Sequence, residues 1–292
     1  MKAVVLGLAM AAGVAGSVLG ATPQEAWKAA IAADNVDWAK AHFAVLKIQD
    51  AAYLRDGDTS TLVGTRGQPQ SYKWVKGTKV SGILIAGVRA HHLFVVLNKQ
   101  LYGEAEIAKG IAVDADVDIR GTPTQVGAGV IGARIMIFNQ QAKAARDFTG
   151  VDFYPYNPAF RVTAAFKPDP ARPARVFRTS RGTDKQFFHA GDTTFVLQGK
   201  TITLPLYAED QKKVTGMSSF FVDDLTGKET YGAGRYVDVE PFGAFPPKAV
   251  TIDFNNAYNP NCARSAFFTC PVAIDLIALA VRAGERDPHK AH

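Results

Sequence analysis

Along most of this chain apolar and polar residues alternate with a period of two, the spacing of half-buried β-strands, and the pattern takes over at about Thr59. Before that point the spacing is helical. In "TPQEAWKAAIAADNVDWAKAHFAVLK", Trp27, Ile31, Trp38 and Val45 recur at four- and seven-residue steps. An amphipathic helix is expected there, broken near Asp34-Asn35 and lying across the β structure that follows. Thr22 followed by Glu25 fits a capping box, and Pro23 suits the first helical position. The most regular β run is "GIAVDADVDI". It places Ile111, Val113, Ala115, Val117 and Ile119 on one face and Asp114, Asp116 and Asp118 on the other. In one strand those aspartates stand roughly 7 Å apart, too far to chelate one ion, so a solvated strand face is expected.

The same alternation predicts strands over 72–75, 80–86, 93–97, 133–138, 160–166, 194–197, 201–206, 220–222, 235–239, 250–254 and 276–282. "TTFVLQGKTITLPL" reads as a hairpin turning at Gly199-Lys200, and "VDDLTGKETY" as another at Thr226-Gly227. Many short strands with Gly-rich turns and one leading helix predict a mostly β protein, all-β or α+β. Its antiparallel sheets would be sandwich- or barrel-like, in two parts. The polar stretch "NQQAKAARDFTG" marks a boundary within 139–149. The expected organisation is a helical segment over 22–58, a β-rich domain over 59–140 and a second over 146–286.

Charge and composition narrow the function classes. Net charge is +6, but the basic residues are scattered and dense only over 172–185. A nucleic-acid binder concentrates its charge on one face with aromatics between, so no nucleic-acid partner is expected. Residues 1–21, "MKAVVLGLAMAAGVAGSVLGA", run from a lysine through an apolar stretch to small residues, the order of a secretory signal peptide. The reading is an exported protein, periplasmic or secreted, with no membrane span in its mature part. No cysteine follows the apolar run, so no lipid anchor is expected. In an oxidising compartment the only cysteines, Cys262 and Cys270, are expected to form a disulfide.

Standard catalytic motifs are missing: there is no G-x-S-x-G, H-E-x-x-H or Walker loop, and no metal or cofactor is expected. His91 and His92 are adjacent and point to opposite faces of a strand. His189 in "QFFHAGD" reads either as a general base or as a surface histidine.

"ARDFTGVDFYPYNPAFRVTAAF", "VDDLTGKETYGAGRYVDV", "TIDFNNAYNPNCARSAFFTCPVA" and the closing "VRAGER" resemble exported prokaryotic proteins grouped as domain-of-unknown-function family 1684. The resemblance runs from Arg146 to Arg286 and implies no activity. Within these signatures Arg146, Arg161 and Arg235 are fixed cations able to grip a carboxylate or phosphate. Asn255, Asn256, Tyr258 and Asn259 supply donors and acceptors. Two roles are open to them: a pocket for a small polar or anionic ligand, or loop fastening through main-chain carbonyls and Asx-turns. A pocket would bring Arg235, Asn255 and Tyr258 together at an open surface. The alternatives are a hydrolase using the same cluster with His189 or Cys262, and a structural or interaction module.

Overall fold

The computed structural model describes residues 22–289; the expected signal peptide and residues 290–292 lie outside the described residues. The chain divides between Gly150 and Val151 into two compact units. Both are built from antiparallel sheets, and the protein is mostly β with one N-terminal helix of any length. Among the described residues no helix is long and apolar enough to cross a membrane.

In the first unit, helix α1 (Pro23–Asn35) starts with the capping box: Thr22 Oγ1 accepts from Glu25 N–H, and the Glu25 carboxylate accepts from Thr22 N–H at 2.6 Å. The helix ends at Asn35, where a wider turn, Val36–Lys40, begins. Contrary to the amphipathic expectation, α1 buries none of its residues, and burial begins at Trp38 and Ala39 in that turn. The strands are β1 (Ile48–Leu54), β2 (Thr59–Thr65), β3 (Gln68–Lys76), β4 (Leu84–Arg89), β5 (His92–Leu97), β6 (Gln100–Tyr102), β7 (Ile111–Asp114), β8 (Val117–Gly127) and β9 (Val130–Asn139). Short helices α2 (Glu104–Ile107) and α3 (Lys143–Arg146) complete it. One sheet runs β1-β9-β8-β7 and the other β3-β2-β4-β5-β6. Leu54, Val117 and Ile135 of the first share one core with Leu62, Leu84 and Val95 of the second.

The aspartate run is a hairpin, not one strand, because the chain reverses between Asp114 and Val117. Its carboxylates are consumed locally. Asp114 accepts from Tyr72 OH and Gly67 N–H, each at 2.7 Å, while Asp118 meets His42 at 2.9 Å. Partnered, half-buried carboxylates replace the solvated row.

The second unit contains β10 (Arg161–Pro168), β11 (Ala174–Arg178), β12 (Asp184–Leu197), β13 (Lys200–Ala208), β14 (Ser218–Asp223), β15 (Arg235–Asp238), β16 (Ala249–Asp253) and β17 (Asp275–Ile277). The order β15-β14-β13-β12-β10-β16 curls until a bridge between Val239 and Ile252 joins the outermost strands. Strand β11 pairs with β12, and β17 lies parallel to β14. The hairpin between β12 and β13 turns at Gln198-Gly199, both with positive φ, one residue earlier than expected. Residues 224–234 form a long excursion between β14 and β15 instead of a tight hairpin, since pairing resumes only at Arg235. The curled sheet encloses an aliphatic and phenylalanine core that includes Leu204, Leu206, Phe221, Val237, Ile252 and Phe254.

Candidate functional site

Two-residue periodicity gives each strand of the second unit a second face. Phe221 and Val237 point into the core, so Phe220 and Tyr236 point outward. Register carries that outward face across the sheet. Tyr236 pairs with Phe220, Asp238 with Ser218, Ser218 with Tyr207, Tyr207 with His189, Phe187 with Arg175, and Lys185 with Phe177. A bridge between Tyr236 and Tyr258 extends it by one more ring. The result is a second core cluster on the other face of the sheet, in which Phe177, Tyr207, Phe220 and Tyr236 are buried and Phe187 and Tyr258 half-buried. Phe220–Tyr236 and Phe187–Phe220 meet edge to face with centroids 4.7 and 4.9 Å apart, while Tyr207 and Phe220 stack in parallel at 5.8 Å.

Ionisable groups stand among these rings. Asp238 Oδ1 accepts from Ser218 Oγ at 2.5 Å, and Tyr258 OH lies 3.3 Å from both carboxylate oxygens. Burial nevertheless pushes the Asp238 carboxyl above its ordinary range. Burial also raises Glu209, although its side chain is exposed to water; Lys185 opposes the shift and Asp238 adds to it. Asp275 is pushed up to about 6 by burial, against the hydrogen bond from Tyr207 OH at 3.1 Å and the charge of Arg175.

His189 sits at the edge of this face with Asp169 3.0 Å from Nδ1 and Asp192 3.1 Å from Nε2. Burial pulls its pKa down, but the two carboxylates outweigh that and hold it above the ordinary histidine value. Among the described residues no three His, Cys, Asp or Glu side chains are grouped to hold a metal ion.

The signature residues fall elsewhere. Arg235 shares parity with Val237 and Val239 and is 1% exposed. Its guanidinium pairs with Asp223 at 3.0 Å, donates to the carbonyls of Val281 (2.9 Å) and Ala283, and lies over the Phe221 ring. Asn255, equally buried, exchanges hydrogen bonds with Asn157: Oδ1 accepts from its N–H and Nδ2 donates to its carbonyl, both at 2.9 Å. The main chain of Asn259 donates to buried Glu285 at 2.6 Å, its side chain donates to the Arg286 carbonyl, and Glu285 pairs with Arg264. Arg161 grips Glu240 through two bonds of 2.7 and 2.8 Å. Arg146 is exposed, beside Gln141, in the first unit. The expected convergence of Arg235, Asn255 and Tyr258 at an open surface therefore does not occur. An inward-facing arginine spends its donors on the closing segment 281–285, and only Tyr258 reaches the outward face.

The model of the family described as "Protein of unknown function (DUF1684)" matches residues 146–286. That match spans nearly all of the second unit. A solution structure of an uncharacterized protein from Haloarcula marismortui is similar at 29% identity, over 50% of this chain and 80% of that one, with a TM-score of 0.43. Comparison with curated proteins gives no match. Within the matched region "VDDLTGKETYGAGR" and "VRAGER" are thus two sides of one internal fastening. Asp223 receives Arg235 and also the Val281 N–H at 3.0 Å. Gly284, at φ +80°, packs where a Cβ would lie 2.5 Å from the Ala257 carbonyl.

The cysteines also depart from expectation. Both are free thiols and do not stand at disulfide distance. Cys270 Sγ instead accepts from the Cys262 main-chain N–H at 3.3 Å. Of the outward residues, sequence reasoning singled out only Tyr258 and His189. The available signal was the alternation in "RYVDV" and "QFFHAG", where aromatic or charged residues occupy the parity opposite the core.

Proposed function

We propose that the second unit binds a small, neutral, ring-bearing polar ligand on its outward aromatic face. The observation that carries this is the half-buried edge of a second cluster of rings, Phe187 and Tyr258, beside the carboxyls of Asp238 and Glu209 that burial holds up. A ligand ring laid on half-buried Phe187 and Tyr258 covers apolar surface, while its hydroxyls find acceptors in the carboxyls. The signature arginines are not offered to an anionic ligand: Arg235 is committed internally and Arg161 to Glu240. A hydrolase reading gains no support from His189, because both its ring nitrogens are already engaged.

A thermal-shift screen of monosaccharides, nucleosides and organic acids tests the proposal, since a ligand that binds only the native state raises its stability. A sugar or nucleoside is expected to raise Tm, and Tyr258→Ala and Asp238→Asn each to abolish the shift. A panel without any shift, or a shift untouched by both substitutions, counts against it. The proposal includes export, supported by the pattern over 1–21. Fractionation and N-terminal sequencing of the expressed chain should find a mature start close to Thr22 outside the cytoplasm. Retention of residues 1–21 in the cytoplasmic fraction would refute that part.

A further inference from the structure

Strands β10 and β11 are joined by a short strap, "DPARP" over 169–173. None of its residues is buried, so polar ties rather than apolar packing give it order. At its ends, Asp169 N–H donates to the Ala190 carbonyl at 2.9 Å and the Pro173 carbonyl accepts from His189 N–H at 3.0 Å. Between them, Asp169 Oδ1 accepts from Ala171 N–H at 2.9 Å and Arg172 N–H at 3.3 Å. Gln211 Nε2 donates to the Arg172 carbonyl at 3.0 Å, and the Arg172 guanidinium lies 5.6 Å from the Phe245 ring centroid. Arg172 stands at φ +43°, a conformation that costs a non-glycine residue free energy and persists only where its surroundings impose it. One further tie imposes it: the second Asp169 oxygen, Oδ2, lies 3.0 Å from His189 Nδ1.

The His189 ring is held between two acids, with Asp192 Oδ1 3.1 Å from its other nitrogen, Nε2. Carboxylates only accept, so both ring nitrogens must donate, and a neutral imidazole has a single N–H. Both acids reach water, with side chains 27% and 39% exposed, and imidazole is the far stronger base, so the proton belongs to the ring. We propose that His189 is held as an imidazolium and is a proton-operated latch on the 169–173 strap, tying it to β12 when charged and loosening it when neutral. Loss of the proton ends the ion pair with Asp169 and turns one nitrogen lone pair toward a carboxylate oxygen, so at least one of the two contacts opens. Other elements also face the ring. Tyr207 of β13 has its ring centroid 6.0 Å away, and the Asp275 carboxyl of β17 feels the charges of both His189 and Arg175 of β11. Burial pulls the His189 pKa down, and Asp169 ahead of Asp192 outweighs it and holds the value above that of an ordinary histidine. The latch is therefore complete below the ordinary histidine value and is lost as pH rises through the raised folded one.

Nuclear magnetic resonance of the 15N-labelled full chain, titrated with acid and base, tests both halves of the proposal. Long-range proton–nitrogen spectra are expected to show both His189 ring nitrogens protonated in the folded chain, with a midpoint above that of the same residue in urea. Backbone order at Ala171 and Arg172, read from their heteronuclear Overhauser effects, should fall as pH rises through that midpoint. Asp169→Asn keeps an oxygen for the two strap N–H groups but removes the charge facing Nδ1. It is expected to lower the midpoint and abolish the pH response of the strap. His189→Gln, which cannot carry the charge, should leave the strap at its loosened level at every pH. A ring nitrogen without its proton below the midpoint, or a midpoint no higher than in urea, would overturn the proposal. So would strap order that stays constant while His189 titrates, or that responds to pH unchanged in Asp169→Asn.

Discussion

Arg235 shows how much one side chain can hold when it faces inward. Its ion pair with Asp223 is fully enclosed, and its remaining donors tie down carbonyls of the closing segment. Removing one partner of a buried pair leaves the other charge unpaired, so Arg235→Ala is expected to cost about 3–5 kcal/mol. Urea denaturation followed by near-UV dichroism of the tyrosine cluster would read the loss. Arg161→Ala breaks a two-pronged pair that is about one-third exposed, and should cost less than about 1 kcal/mol. Equal effects for the two would contradict the inward role of Arg235. The difference was available in the sequence: "RYVDV" gives Arg235 the parity of Val237 and Val239, and Tyr236 that of Asp238. Chemical type, a cation beside glycines, pointed toward a ligand, whereas alternation pointed toward the core. Alternation had the stronger physical basis.

Elements were legible where one local rule governed them and illegible where a distant partner decided. Strands β5, β13 and β16 show alternating burial and β9 is a continuous buried run, and the structure places all four within a few residues of the predicted spans. Strand β11 and the first half of β12 were missed because 174–188 carries Arg, Lys and Gln at positions that look like a loop. Mutual pairing and the ring of Phe177 hold them together. Helix α1 is the converse case, a local signal with no tertiary reward. Its capping box forms, yet none of its residues is buried. Thr22→Ala should therefore speed amide exchange in the first turn of α1 while leaving the thermal midpoint of the chain unchanged. A fall in that midpoint would mean that α1 supports the sheets after all.

At the scale of the whole molecule, pH acts mainly on the second unit, and tryptophan emission will not report it. All three tryptophans, Trp27, Trp38 and Trp74, precede Gly150, so emission follows the first unit, and near-UV dichroism of the clustered tyrosines is the fitting probe for the second. Asp275 decides the sign between pH 4 and 6. Burial raises its folded value to about 6, so the native state holds a proton that the unfolded chain has already released. Stability from this group is therefore full below about pH 4 and declines as pH rises toward 6. His189, also raised in the folded state, acts in the same direction but later, with its contribution lost as pH rises through the folded value. Cys262 has the opposite sign: its lowered value adds stability as pH climbs above about 6. Asp169 and Glu229, both lowered, lose their contributions only as pH falls through their folded values, on the acid side of the window. Asp275→Asn removes the titrating proton while keeping an oxygen for Tyr207 OH. The urea midpoint of the variant is expected to fall less than that of the wild type as pH rises from 4 through 6, and the two curves to run parallel above about pH 7. Parallel curves over the whole range would show that Asp275 ionises normally and that its burial does not govern the face.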